Sequence, residues 1–177
     1  MAISIRQQIS SEDAIKERLQ SAIKENNAEA LADLLRFAPD FCRTLALNKR
    51  TYEAACLCGY QPEITFDRNG WLKEKDLEKK CETITYDGKA FSVKILLLQH
   101  PNGKWVKGYD VSFPSYGTSS LPSVFDDQYD TRMEALKAEM DSLIEYIGHH
   151  QDEKNSRDAI TRLKKERMNL SQLSLFV

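Results

Sequence analysis

From about residue 83 the apolar residues recur at every second position, and from residue 133 they recur at every third or fourth. A chain with that switch has to lay a helix against a sheet, because each element buries only one face. Phe91, Val93, Ile95 and Leu97 alternate with Ser92, Lys94 and Leu96, which predicts a strand. After Pro101-Asn102-Gly103 a second strand follows, with Trp105, Lys107, Tyr109, Val111 and Phe113 on one face. Asn-Gly between two such runs signals a tight hairpin, since both central residues of a type I′ turn need positive φ. Asp87-Gly88 offers a second turn and places a third strand around 82–86. The expectation is a three-stranded antiparallel meander. Behind it, Thr131 and Glu134 form a capping box, and Met133, Leu136, Met140, Leu143 and Ile147 step along one helical face until Gly148.

The N-terminal third has a helical period. Ile15, Leu19, Ala22 and Ile23, then Leu31, Leu34, Leu35 and Ala38, predict helix over 11–38 with a break at Asn26-Asn27. Ser10 with Asp13 is the expected cap, and Pro39 ends the segment. Residues 40–59 predict one or two short helices closing at Gly59. Residues 60–80 divide between loop and a solvated, charge-rich helix at Lys73–Lys80, and 114–129, with Pro114, Gly117 and Pro122, predict a loop. A last, charged helix is expected over 153–168. The chain is therefore expected to be α+β: a helical region at 1–60, sheet and packing helix at 61–150 forming one compact domain with it, a charged helix at 151–170 and a flexible tail at 171–177.

Composition excludes several classes. The chain has 177 residues, 41% hydrophobic and 29% charged, with a net charge of −2, so it is neither a strongly basic nucleic-acid coat nor a disordered polyelectrolyte. The longest apolar run, Ile95-Leu96-Leu97-Leu98, is far short of a membrane span. The start, Met1-Ala2-Ile3-Ser4-Ile5-Arg6, has no sustained apolar core of a signal peptide. A cytoplasmic location is expected, with no membrane partner and with Cys42, Cys56, Cys58 and Cys81 as reduced thiols. Cys56-Leu57-Cys58 lacks the spacing of a zinc pair, and His149-His150 would diverge on a helix. No metal and no cofactor are expected.

No catalytic signature stands in the sequence: no phosphate-binding glycine loop, nucleophile elbow, metalloprotease helix or paired-cysteine redox motif. His100, before Pro101, reads as a histidine at a hairpin rim. Asp126, Asp127 and Glu134 are the carboxylates from which a motif-free metal nuclease would have to be built. No catalytic residue is assigned, and the chain is read as non-enzymatic.

The last residues carry the most specific signal. Gln172-Leu173-Ser174-Leu175-Phe176 resembles the pentapeptide with which bacterial polymerases, repair proteins and some phage and plasmid proteins dock on the β sliding clamp. That pattern is Gln, an aliphatic residue, Ser or Asp, Leu, then Phe, and all five positions match. The resemblance covers these five residues only. It implies that Leu175 and Phe176 fill a deep hydrophobic subsite, that Leu173 adds a third apolar contact and that Gln172 reaches a polar rim. Burial of three such side chains supplies roughly 5–8 kcal/mol gross. Ordering about five residues takes back ~1 kcal/mol or more each. The net is a weak-to-moderate tether, suited to an accessory protein of replication, repair or a mobile element. The alternatives are an inhibitor that fills the clamp pocket and a small nuclease delivered by the clamp.

For the folded part, Gly103-Lys104-Trp105 and Tyr129-Asp130-Thr131 through Glu134-Ala135-Leu136 resemble three small three-stranded folds: the arm-binding domain of tyrosine recombinases, the double-stranded-RNA-binding fold and some antitoxins. A sheet-and-helix unit needs these features anyway. The aromatic-basic face of Trp105, Lys107 and Tyr109 is a candidate to stack on or contact a nucleic acid, Lys107 being its cation. The favoured alternative places Trp105 and Tyr109 in the core with Lys107 extending its amine to solvent. The better DNA-contact candidates are Arg157, Arg162, Lys164, Lys165 and Arg167 on the last helix, since basic helices track phosphates.

Overall fold

The computed structural model describes residues 8–37, 42–60, 80–149 and 154–173. The chain divides into two compact units. One takes residues 8–60, as far as they are described, with His100–Asn102 and Ser123–Asp127; the other takes the rest of the described chain.

The first unit is helical: α1 (Glu12–Lys24), α2 (Ala28–Leu35) and α3 (Cys42–Leu57). The N-cap of α1 is Ser11, whose hydroxyl accepts from the Ala14 amide at 3.1 Å, rather than Ser10. Asn26 takes a positive φ of 50° and Asn27 caps α2 through the Ala30 amide, so the Asn pair ends one helix and starts the next. Ile15, Leu19 and Leu34 form the small core, flanked by Leu31 and Phe37. Residues 42–57 make one continuous helix, closed by Gly59 at φ 87°. The expected stop at Pro39, the ambiguous stretch 61–79 and Cys42's side chain lie outside what is described.

The second unit is a four-stranded antiparallel sheet in the order β1-β2-β3-β4, formed by β1 (Cys81–Asp87), β2 (Ser92–Gln99), β3 (Trp105–Ser112) and β4 (Gly117–Ser120). The expected meander of three strands is thus corrected to four. Gly117-Thr118-Ser119-Ser120 carries no apolar alternation, and it joins the edge through backbone pairing to β3, with Ser112 opposite Gly117. Pairing of that kind leaves no trace in side-chain period.

The β2–β3 connection also differs from the expected two-residue turn. Gln99 pairs with Trp105, which makes the loop five residues long, and of Asn102-Gly103 only Gly103 has positive φ, at 84°. The β1–β2 turn falls at Asp87-Gly88 as expected but is not a two-residue turn either: Asp87 pairs with Ser92, neither Asp87 nor Gly88 has positive φ, and the Gly88 N–H donates to the Phe91 carbonyl at 2.9 Å. A Cβ at residue 88 would collide with the Phe91 ring, so only glycine fits.

Two helices complete this unit: α4 (Arg132–Gly148) across β2 and β3, and α5 (Lys154–Leu173) against α4 and β1. Thr131 and Glu134 form the complete capping box. Val93, Ile95, Leu97, Val111 and Phe113 from the sheet meet Leu136, Met140, Leu143 and Ile147 from α4 and Leu163 from α5. Each such side chain contributes roughly 1.5–3 kcal/mol gross on burial. The helix α5 ends at Leu173, so Gln172 and Leu173 belong to its last turn, while Ser174–Val177 lie outside the described residues.

The described thiols differ in reactivity. Cys56 is exposed, Cys58 is buried with its Sγ 3.9 Å from the Val124 carbonyl, and burial pushes the Cys81 thiol up to about 11. Since the thiolate is the nucleophile, iodoacetamide at pH 8 is expected to label Cys56 more than tenfold faster than Cys58 or Cys81. Peptide mapping by mass spectrometry checks this.

Candidate partner-binding surface on the C-terminal helix

The α4–α5 pair sorts the basic residues of α5 into two groups. Alanine, isoleucine and leucine at 159, 160 and 163 set the face that packs inward. On the flanks of that face, Arg167 makes a two-pronged ion pair with Asp141 of α4, 3.0 Å from Nε to Oδ1 and 3.0 Å from Nη2 to Oδ2. The Arg162 guanidinium donates to the Asp87 carbonyl at the end of β1. Both therefore tie α5 to its neighbours. Arg157, Lys164 and Lys165 are exposed and form no ion pair among the described residues.

Lys107 is placed elsewhere. Its face of β3 looks at α4, and its amine pairs with the Glu139 carboxylate, which is 2% exposed against 22% for the lysine side chain. Trp105 and Tyr109 pack against the core on either side, and the Tyr109 and Tyr146 rings lie 6.3 Å apart. Sequence reasoning missed Glu139. Its signal was an acid on the apolar stripe of α4, between Leu136 and Met140, facing a strand whose inward register carries one lysine.

A second ion pair fixes the start of α4: the Arg132 guanidinium grips Glu82 of β1, with Nε 2.6 Å from Oε2. That hydrogen bond holds the Glu82 carboxyl below its usual range and raises the arginine in turn. Nearby, burial, reinforced by Glu166, raises the Tyr86 hydroxyl.

Two of the three carboxylates considered for a nuclease, Asp126 and Glu134, serve the backbone. Asp126 accepts from the Ser123 amide at 2.7 Å, and Glu134 accepts from the Thr131 amide at 3.0 Å in the capping box. His100 is buried in the helical unit, with Nδ1 3.0 Å from the Tyr60 hydroxyl, and burial lowers its pKa to about 4. Among the described residues no cluster of three or more His, Cys, Asp or Glu is placed to hold a metal ion. None of the described helices is long and apolar enough to cross a membrane.

At the far end of α5, Met168 is 61% exposed and Gln172, the first residue of the terminal pentapeptide, is exposed as well. Leu175 and Phe176 lie outside the described residues. The fold so defined is an α+β protein in two units, with a basic C-terminal helix leading into that peptide. No protein-family model, curated protein or solved structure matches this chain.

Proposed function

We propose that this chain is a non-enzymatic accessory protein of DNA replication or repair, recruited to the bacterial β sliding clamp through Gln172-Leu173-Ser174-Leu175-Phe176. The observation that carries the reading is the match at all five positions of the clamp-binding pentapeptide. Exposure of Gln172 is compatible with capture by a partner. The peptide begins in the last turn of a helix anchored by Arg162 and Arg167, so the folded units would be held near the ring by a short connection. A short connection keeps the effective concentration of the folded part high wherever the clamp sits.

Surface plasmon resonance on an immobilised bacterial β clamp tests the proposal. Leu175→Ala/Phe176→Ala removes most of the buried apolar surface of the peptide and is expected to weaken binding at least ~100-fold, about 2.7 kcal/mol. A chain truncated after Ser171 is expected to show no binding. Equal responses from the intact and both altered chains, or no response from the intact chain, would sink the clamp reading. An inhibitor and a recruited factor differ in a second measurement: only the inhibitor slows clamp-dependent synthesis on primed DNA at saturation.

A further inference from the structure

We propose that the solvent face of α5 is a contact surface for the phosphate backbone of duplex DNA, carried by Arg157, Lys164 and Lys165. The inference deepens the proposed function but rests on α5 alone, not on the terminal peptide. The first observation is charge segregation. The helix carries six basic and two acidic side chains, a net of +4, whereas the whole chain stands at −2; everything outside α5 therefore sums to −6. A chain that concentrates positive charge on one helix of an otherwise acidic body presents a local field suited to an anionic partner.

The second observation is where the charge lies. At 3.6 residues per turn, Arg157, Thr161, Lys164, Lys165, Met168 and Gln172 fall within an arc of about 100°. All six are exposed. The arc holds no acidic residue: Asp158 flanks it, and Glu166 is half-buried outside it. The basic residues off the arc are occupied, Arg162 by the Asp87 carbonyl and Arg167 by Asp141. Three cations thus share one face over about 12 Å of helix axis, and no ion pair among the described residues spends them.

The chemistry of the arc selects the partner. Single strands are held by aromatic side chains on which bases stack, and the arc has none. Membrane-surface helices offer an apolar face to lipid, whereas the apolar face of α5 is buried as Ala159 and Leu163. Apart from its cations the arc offers only Thr161 and Gln172 as polar side chains, too few to read a run of base edges. What remains is contact with duplex phosphates that positions the protein without reading bases.

Fluorescence anisotropy of the full chain with a labelled 30-base-pair duplex of arbitrary sequence tests this. Three phosphate contacts predict a slope of log affinity against log salt of about −2.7, hence roughly 40-fold weaker binding at 200 mM than at 50 mM salt. Arg157→Gln/Lys164→Gln/Lys165→Gln is expected to lose at least tenfold at 50 mM and to flatten the slope. Arg157→Lys/Lys164→Arg/Lys165→Arg, which keeps the charge, should bind as before. A chain truncated after Ser171 should keep its DNA affinity while losing the clamp, which separates failure of this inference from failure of the clamp reading. The proposal is overturned by absence of binding to ~100 µM protein at 50 mM salt, the weak end of non-specific association. It is equally overturned if the triple glutamine variant binds as well as the parent, or if phosphatidylserine vesicles bind more tightly than the duplex.

Discussion

Lys107→Met is expected to lower the unfolding free energy by about 3–5 kcal/mol, the usual cost of leaving one member of a buried ion pair without its partner. The carboxylate of Glu139 is 2% exposed and its hydrogen bond runs to Lys107. Taking the lysine away leaves a buried negative charge without that partner. The converse change, Glu139→Leu, should cost less, because the lysine side chain is 22% exposed and can turn its amine outward. The double variant Lys107→Met/Glu139→Leu should recover most of the loss, since a well-packed apolar pair of similar volume often equals a buried ion pair. Urea unfolding of the four proteins reads the interaction as a double-mutant cycle. A loss under 1 kcal/mol for Lys107→Met would show that Glu139 is hydrated or otherwise satisfied.

The second large effect is a loss of stability in mild acid. His100 has an ordinary pKa of 6.5 and about 4 in the folded chain, because burial disfavours the imidazolium. Between those values the unfolded chain binds a proton that the folded chain refuses, so the histidine lowers stability as pH drops through 6.5, and its contribution levels off below 4. At ~1.4 kcal/mol per pH unit the full loss is about 3 kcal/mol. Glu82, held low by Arg132, works in the same direction only below its ordinary 4.5, so the window from 6.5 to 4.5 belongs to the histidine. His100→Gln should abolish the slope in that window, with Tyr60 still within reach of the side chain at its present 3.0 Å contact. Denaturant midpoints at half-unit pH steps measure it. A slope unchanged in His100→Gln would assign the acid sensitivity to other groups.

Both effects come from groups whose neighbours lie far away in the chain, and neither was apparent in the sequence. Lys107 meets Glu139 across 32 positions and Tyr60 meets His100 across 40. The sequence did show that Lys107 falls on the inward register of β3. It did not show that an acid on the α4 stripe would come to lie over it, because that depends on how far the helix slides along the sheet. The same holds for the basic residues of α5. Composition shows six of them, but only the packing of α5 on α4 and β1 places Arg167 on Asp141 and Arg162 on the Asp87 carbonyl. Arg157, Lys164 and Lys165 are left in solvent for the same reason.

Local structure was more legible. The alternation from Phe91 to Leu97, the steps from Leu136 to Ile147 and the Thr131–Glu134 box each state their element within a few residues, because side-chain period and capping are short-range properties. The break at Asn26-Asn27 is of the same kind. β4 was invisible for the opposite reason: Gly117 to Ser120 pair through backbone groups that every residue possesses, and only the presence of β3 alongside makes a strand of them. The terminal pentapeptide is again a purely local signal, five side chains in order. What the sequence by itself determined is therefore the periodic elements and the five-residue match at the terminus, both written in neighbouring residues. The fourth strand, the buried pair, the shielded histidine and the choice of which cations stay open were decided by tertiary structure, since burial and ion pairing depend on distance in space and not along the chain.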